Sequence, residues 1–176
     1  MPLHSLELVL TPVDDARVRA DWEALARVGP SQAQHRGATN APHATVLSTP
    51  GIAAAQEQLA AAAWGPALPA RVRVVGLVAL GRGPFTLAWL LSPDASVVAA
   101  AQRCRREVGD AFDGAWLPHV TLARRVPAPA LPAAVEVMAA RPCAELTIAG
   151  LRRWDPDTAT VRVLLASTDS VATEGS

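Results

Sequence analysis

The sequence predicts an α+β protein of two pseudo-symmetric lobes, each an antiparallel-rich sheet with helices packed on its outer side. Three observations carry this reading. Segments whose apolar residues alternate with period two interleave with Ala-rich segments of helical period. Two pairs of strand-like segments are joined by short turns, the connection that antiparallel neighbours use. One tetrapeptide frame, Pro-His-x-Thr, occurs twice, once on either side of a Gly-Arg-Gly-Pro turn at 81–84 that divides the chain into two lobes.

In order, Ser5 to Leu10 sets Leu6, Leu8 and Leu10 against Ser5, Glu7 and Val9 and reads as a first strand with one buried face. Thr11-Pro12-Val13-Asp14 then supplies a cap, a first-turn proline and acids for the positive end of a helix. Val18, Trp22 and Leu25 recur at helical spacing until Gly29-Pro30 ends the helix. A polar loop, Ser31 to Ala41, carries His35 and Arg36 and leads into the first motif strand. Thr49-Pro50-Gly51 breaks that strand, and Ile52 to Trp64 is an Ala-rich helix stopped by Gly65-Pro66. Val72 to Leu80 and Phe85 to Leu91 form a hairpin. Ser92-Pro93-Asp94 repeats the cap signature, so the spacing predicts a helix from about Pro93 to Phe112, with Arg103, Arg105 and Arg106 on a solvated face. The second motif strand runs from Leu117 to about Arg124, a short Pro-led helix reaches Ala140, and Glu145 to Trp154 and Thr158 to Ala166 flank the turn Asp155-Pro156-Asp157. Residues 1–166 are thus expected to form a single bilobal domain and 167–176 a flexible tail.

The chemistry sits in Pro42-His43-Ala44-Thr45 and Pro118-His119-Val120-Thr121. On a strand, His43 and Thr45 share one face while Ala44 and Val46 point into a core, and His119 and Thr121 stand in the same relation to Val120 and Leu122. The proline before each histidine suits a strand start. One such frame alone is most simply a polar residue at the mouth of a strand; two, in a chain with four histidines, pair an acid with a base.

Composition bounds the partners. With 176 residues, 51% of them apolar, the chain can bury a sizeable core. No apolar run reaches the ~20 residues of a spanning helix, and the N-terminus lacks a basic region before an apolar run, so no membrane association and a cytoplasmic location are expected. Cys104 and Cys143 are isolated thiols with neither a disulfide nor a zinc frame. The net charge is zero and all sixteen basic residues are arginine, a balance that argues against coating long nucleic acid by charge alone. A small phosphate ligand needs only local charge.

With its two His-x-Thr motifs, and most closely in the string Pro118-His119-Val120-Thr121-Leu122-Ala123-Arg124, the chain resembles the 2H phosphoesterases, which include the bacterial proteins called 2′-5′ RNA ligases or RNA 2′,3′-cyclic phosphodiesterases. The resemblance implies a central V-shaped cleft lined by one motif strand from each lobe. It further implies a metal-independent, cofactor-free hydrolysis of 2′,3′-cyclic phosphates, on RNA ends or small nucleotides, to 2′-phosphates, with a reversible 2′-5′ ligase activity in the opposite direction. His43 would be the proton donor, His119 the proton acceptor, Thr45 and Thr121 the phosphate-holding hydroxyls, and Arg124 a basic residue on the phosphate. No obligatory protein partner is implied. Strict alternation puts Arg124 off the His119/Thr121 face, so its contact requires a twist or bulge; Arg125, Arg36 and His35 are weaker choices. Trp116 and Trp154 are expected to offer base-stacking surface, whereas Trp22, Trp64 and Trp89 read as core. The rival reading is a catalytically inactive nucleotide or RNA-end binding module of the same fold; binding alone does not call for two imidazoles in one frame. A His-ligated metal protein is a third reading, weakened by the lack of acid or cysteine at ligand spacing.

Overall fold

A computed structural model describes residues 2–35, 37, 39–112 and 114–166; Arg36 and the tail at 167–176 lie outside the described residues. The elements follow the expected order: β1 (His4–Leu10), α1 (Pro12–Ala26), β2 (His43–Thr49), α2 (Ala54–Trp64), β3 (Ala70–Leu80), β4 (Phe85–Ser92), α3 (Ala95–Val108), β5 (His119–Val126), α4 (Leu131–Ala139), β6 (Glu145–Asp155) and β7 (Thr160–Leu165). The protein is α+β, as its sequence predicts.

All strand pairs are antiparallel, in the order β1-β2-β5-β4-β3-β6-β7, and β1 also pairs with β6, so the sheet returns on itself. The long β6 makes this closure. Its start, Glu145 to Ile148, pairs with β3, and its remainder pairs with β1 on one edge and β7 on the other. One half of the sheet is therefore β2-β1-β6-β7 and the other β5-β4-β3. The turn at 81–84 lies inside the β3–β4 hairpin rather than between these halves. Strands linked by so short a turn pair with each other, and the chain changes sheet halves elsewhere.

The core lies between the sheet and its helices. Leu6, Leu8, Ala44, Val46, Val120 and Leu122 bury one sheet face against Val18, Trp22 and Leu25 of α1 and Ala60, Ala63 and Trp64 of α2, among others. The Thr11 hydroxyl caps α1 by accepting from the Asp14 N–H. Helix α3 is shorter than the sequence spacing predicts. Asp94 is its cap, not a first-turn acid: the carboxylate accepts from the Val97 N–H at 3.0 Å, and the backbone donors hold its pKa below the ordinary value. The helix stops at Gly109, whose φ of +89° suits a residue without Cβ. Arg105 does not belong to a solvated face either. It donates to Asp110 and to the carbonyls of Phe112 and Gly114, pinning the chain that leads to β5.

The buried charged side chains are paired, although among the described residues Arg153 Nε and the Trp64 indole N–H are left without a partner. Asp21, buried on α1, accepts from the Trp89 indole and from Arg141. Arg153 donates to Glu57, to Asp155 and to His4 Nδ1; that ring must then carry its proton on Nε2, which donates to Asp157. This network ties β1, α2 and the β6–β7 turn together, so His4 has a structural role. Cys104 and Cys143 are buried free thiols, and burial pushes Cys104 up to about 11 and Cys143 upward. Among the described residues no helix is long and apolar enough to cross a membrane.

Leu8 is fully buried at the centre of this core. Leu8→Ala is expected to lower unfolding free energy by about 2–5 kcal/mol, read as a shift in the urea midpoint without change of slope.

Candidate functional site

Both motif histidines are the first residues of their strands, β2 and β5, as the preceding prolines predict. The strands are neighbours but share a single paired position, Ala44 with Val120. Because both partners are buried, the residues on either side of them project together from the opposite face. Antiparallel pairing then sets His43 across from Thr121 and Thr45 across from His119, with the two histidines diagonal to one another. In a regular pair such diagonal positions are about 7–8 Å apart, a spacing in which a phosphoryl group fits between two imidazoles.

With only one rung between them, β2 and β5 leave backbone carbonyls that no strand satisfies. Two tryptophans supply the donors: the Trp116 indole N–H donates to the Thr45 carbonyl at 2.9 Å, and the Trp22 indole N–H to the Thr121 carbonyl at 3.0 Å. Each motif threonine is thus held by an indole. Trp116 also packs edge-on against the buried Trp64, with ring centroids 6.3 Å apart. It is therefore a structural residue and does not line the cleft, contrary to its expected role as a stacking surface.

The imidazoles are oriented alike. Nδ1 of His43 lies 2.7 Å from the Ala41 carbonyl, and Nδ1 of His119 lies 2.8 Å from the Leu117 carbonyl. A carbonyl only accepts, so each Nδ1 carries a proton and each neutral ring has its lone pair on Nε2. That tautomer leaves Nε2 to take or deliver a proton.

A cleft of about 570 Å³ opens over this face, lined by His43, Thr45, Thr121, Arg124, His35 and Trp154 together with Ser5, Glu7, Ser48 and Arg152. His119 is not in its wall; it is partly exposed beyond Thr45 at the cleft's edge. Arg125 is exposed and also outside the lining.

Arg124 reaches the cleft through a bulge. Between Ala88/Thr121 and Leu87/Ala123 the β5 strand has one residue more than β4, so Leu122 and Ala123 both point into the core. Alternation restarts, and Arg124 returns to the Thr121 face. The next residue, Arg125, takes φ of +57°. The first motif strand has the same irregularity. Between Leu6/Leu47 and Glu7/Thr45, β2 has one residue more than β1, so Val46 and Leu47 are both buried and Ser48 lines the cleft.

Sequence reasoning missed Glu7 and Arg152. Glu7 pairs with Thr45 on one side and Arg152 on the other, so a row of side chains crosses β6, β1 and β2 on the cleft face. Glu7 accepts from Arg152 Nε at 2.8 Å and Nη2 at 2.7 Å on one oxygen, and from the Ser5 hydroxyl at 2.7 Å on the other. The latter oxygen lies 3.6 Å from His43 Nε2. An acid between two leucines in the middle of a strand was the available signal. Burial pushes the His43 pKa below its ordinary 6.5, against the opposing pull of Glu7 and of the Ala41 carbonyl; Arg152 and Arg124 add to the depression.

No protein-family model matches the sequence, and no curated protein matches it. Solved structures do match its fold. The Thermus thermophilus protein TT0787 is 18% identical, with a TM-score of 0.57 over 94% of this chain and 97% of that one. Escherichia coli LigT, complexed with 3′-AMP, is 15% identical with a TM-score of 0.56 over 92% of both chains. Kluyveromyces marxianus Usb1, with uridine monophosphate, is 11% identical with a TM-score of 0.52 over 93% of this chain and 97% of that one. The chain shares the fold of these structures, the fold that its resemblance to the 2H phosphoesterases implies.

Two outcomes follow. In the window below 6.5 the unfolded chain binds a proton that folded His43 resists, so stability is lost as pH falls through that window and is retained above it. His43→Gln is expected to flatten this dependence in denaturation curves taken across pH 4–7. At the bulge, Arg125→Val should destabilise by about 1–2 kcal/mol and Arg125→Gly should not, since only glycine adopts positive φ without strain.

Proposed function

We propose that the protein is a metal-independent phosphoesterase that opens 2′,3′-cyclic phosphates, at RNA ends or on small nucleotides, to 2′-phosphates, and that it can run the reverse 2′-5′ joining. The observation that carries this reading is the pair of Pro-His-x-Thr strand starts, side by side on one sheet face at the mouth of a polar cleft. That solved structures of the same fold hold 3′-AMP and uridine monophosphate supports a nucleotide ligand.

The reaction needs a base for water, an acid for the departing ribose oxygen, and donors for the phosphoryl oxygens. His119, at the open edge where water arrives, takes the proton through its Nε2 lone pair as water attacks phosphorus. The bond to O3′ breaks, and His43 delivers a proton from Nε2 to that oxygen, leaving the phosphate on O2′. Burial disfavours the charged His43 ring; an anionic phosphate beside it favours that charge and loads the donor. Thr45 and Thr121 donate hydroxyls to the phosphoryl oxygens, with Arg124 supplying the cation. Trp154, on the cleft wall, is the flat surface for a base. Within the cell the reading places the protein in the cytoplasm.

His43→Ala and His119→Ala are each expected to lower turnover of a 2′,3′-cyclic nucleotide by about 10²-fold or more. The assay separates 2′- from 3′-phosphate product by chromatography, with and without EDTA. Full activity in both variants, a 3′-phosphate product, or loss of activity on chelation would each refute the scheme. Binding of the cyclic nucleotide by the unaltered protein without turnover would favour a binding module.

A further inference from the structure

The two histidines are alike in sequence and tautomer but not in their surroundings, and the difference lies in Glu7. Among the described residues, His119 has no carboxylate at ion-pair distance, whereas His43 has the Glu7 oxygen 3.6 Å from the nitrogen that faces the cleft. Glu7 is buried, its side chain only 7% exposed, and so is Arg152 at 9%. A charged pair buried in a strand adds little to stability over apolar residues of the same volume. The pair is better explained by its contact with His43.

We propose that Glu7, fixed by Arg152 and Ser5, is a positioning residue that aligns the His43 ring and supplies the negative charge that makes this imidazole, and not that of His119, the proton donor. The assignment of His43 as donor rests on the reaction proposed above; the carboxylate–imidazole contact does not. Geometry defines the arrangement. With Nδ1–H committed to the Ala41 carbonyl, a neutral ring turns its Nε2 lone pair toward a carboxylate oxygen, an unfavourable approach that protonation of Nε2 converts into attraction. Arg152 takes the far oxygen of Glu7 in two hydrogen bonds, and Ser5 donates to the near one, so the carboxylate cannot rotate away. The charged groups facing His43 are Glu7 from β1, Arg152 from β6 and Arg124 from β5, with His35 of the loop before β2 in the same cleft. Glu7 is the only acid among them and the strongest charge acting on the ring.

The two partners of the pair therefore act on His43 with opposite sign. NMR titration of the His43 ring in the ligand-free protein reads this without any assay of activity. E7Q is expected to move the His43 midpoint to lower pH, and R152Q, which leaves the carboxylate without its cationic partner, to move it to higher pH. Unchanged midpoints, or shifts of the same sign, would overturn the proposal. Should either single variant fail to fold, E7Q combined with R152M removes both charges and is expected to shift the midpoint downward, since Glu7 outweighs Arg152; no shift would again overturn it. With a 2′,3′-cyclic nucleotide as substrate, E7Q should lose about tenfold in kcat on the alkaline side, where the donor must keep its proton, with little change in KM. A uniform loss across pH would refute the donor-tuning role. If the unaltered protein does not turn over the nucleotide, the reaction proposed above fails, and the titrations still decide whether Glu7 governs His43.

Discussion

The single rung between Ala44 and Val120 is the constraint on which the site depends. It is enough to bring two histidines, 76 residues apart in sequence, onto one face, and too little to fill the space beside them with backbone pairing. A full ladder would have satisfied the carbonyls of Thr45 and Thr121 and closed the sheet there. Instead two indoles hold those carbonyls from the core side, which fixes the motif strands in place while their outer face stays open to a ligand. The tryptophans contribute a donor at one end and a large apolar surface at the other, so the same residues that anchor the site also cement it to the helices.

The polar side of the cleft obeys the rule that buried charge must be partnered. Glu7 is neutralised by Arg152, and Asp21 by Arg141 and an indole. Arg124, by contrast, is exposed on the cleft wall and is available to an anion. A chain of zero net charge can in this way present a locally cationic pocket without a basic surface.

Much of this is legible in the sequence because it is local. Strand starts at Pro-His, the Thr11 cap, the stops at Gly29-Pro30 and Gly65-Pro66 and the turn at Asp155-Pro156-Asp157 are all set by residues a few positions apart, and the elements they bound fall within a few residues of expectation. The exceptions are also local competitions: Asp94 reads as a first-turn acid because Ser92-Pro93 offers an equally good cap, and the spacing draws α3 too long because Gly109 is followed by further apolar residues. Strand order is not legible, because nothing in β6 announces that it will bridge β3 and β1. Nor is the Glu7–Arg152 pair, whose members are 145 residues apart and meet only once β1 and β6 are neighbours. The position of Arg124 is legible only conditionally, as a residue that alternation alone would turn away.

The matched bulges after Thr45 and Thr121 have a consequence for how a ligand lies. Each strand delivers to the cleft a third side chain, spaced an odd number of residues beyond its threonine, and at this one place the two halves part company: Ser48 offers a neutral hydroxyl, Arg124 a guanidinium. Twofold resemblance in the backbone is thereby broken in the charge. An anion whose two ends differ in charge has a direction imposed on it by such a groove, so its orientation is decided by the scaffold.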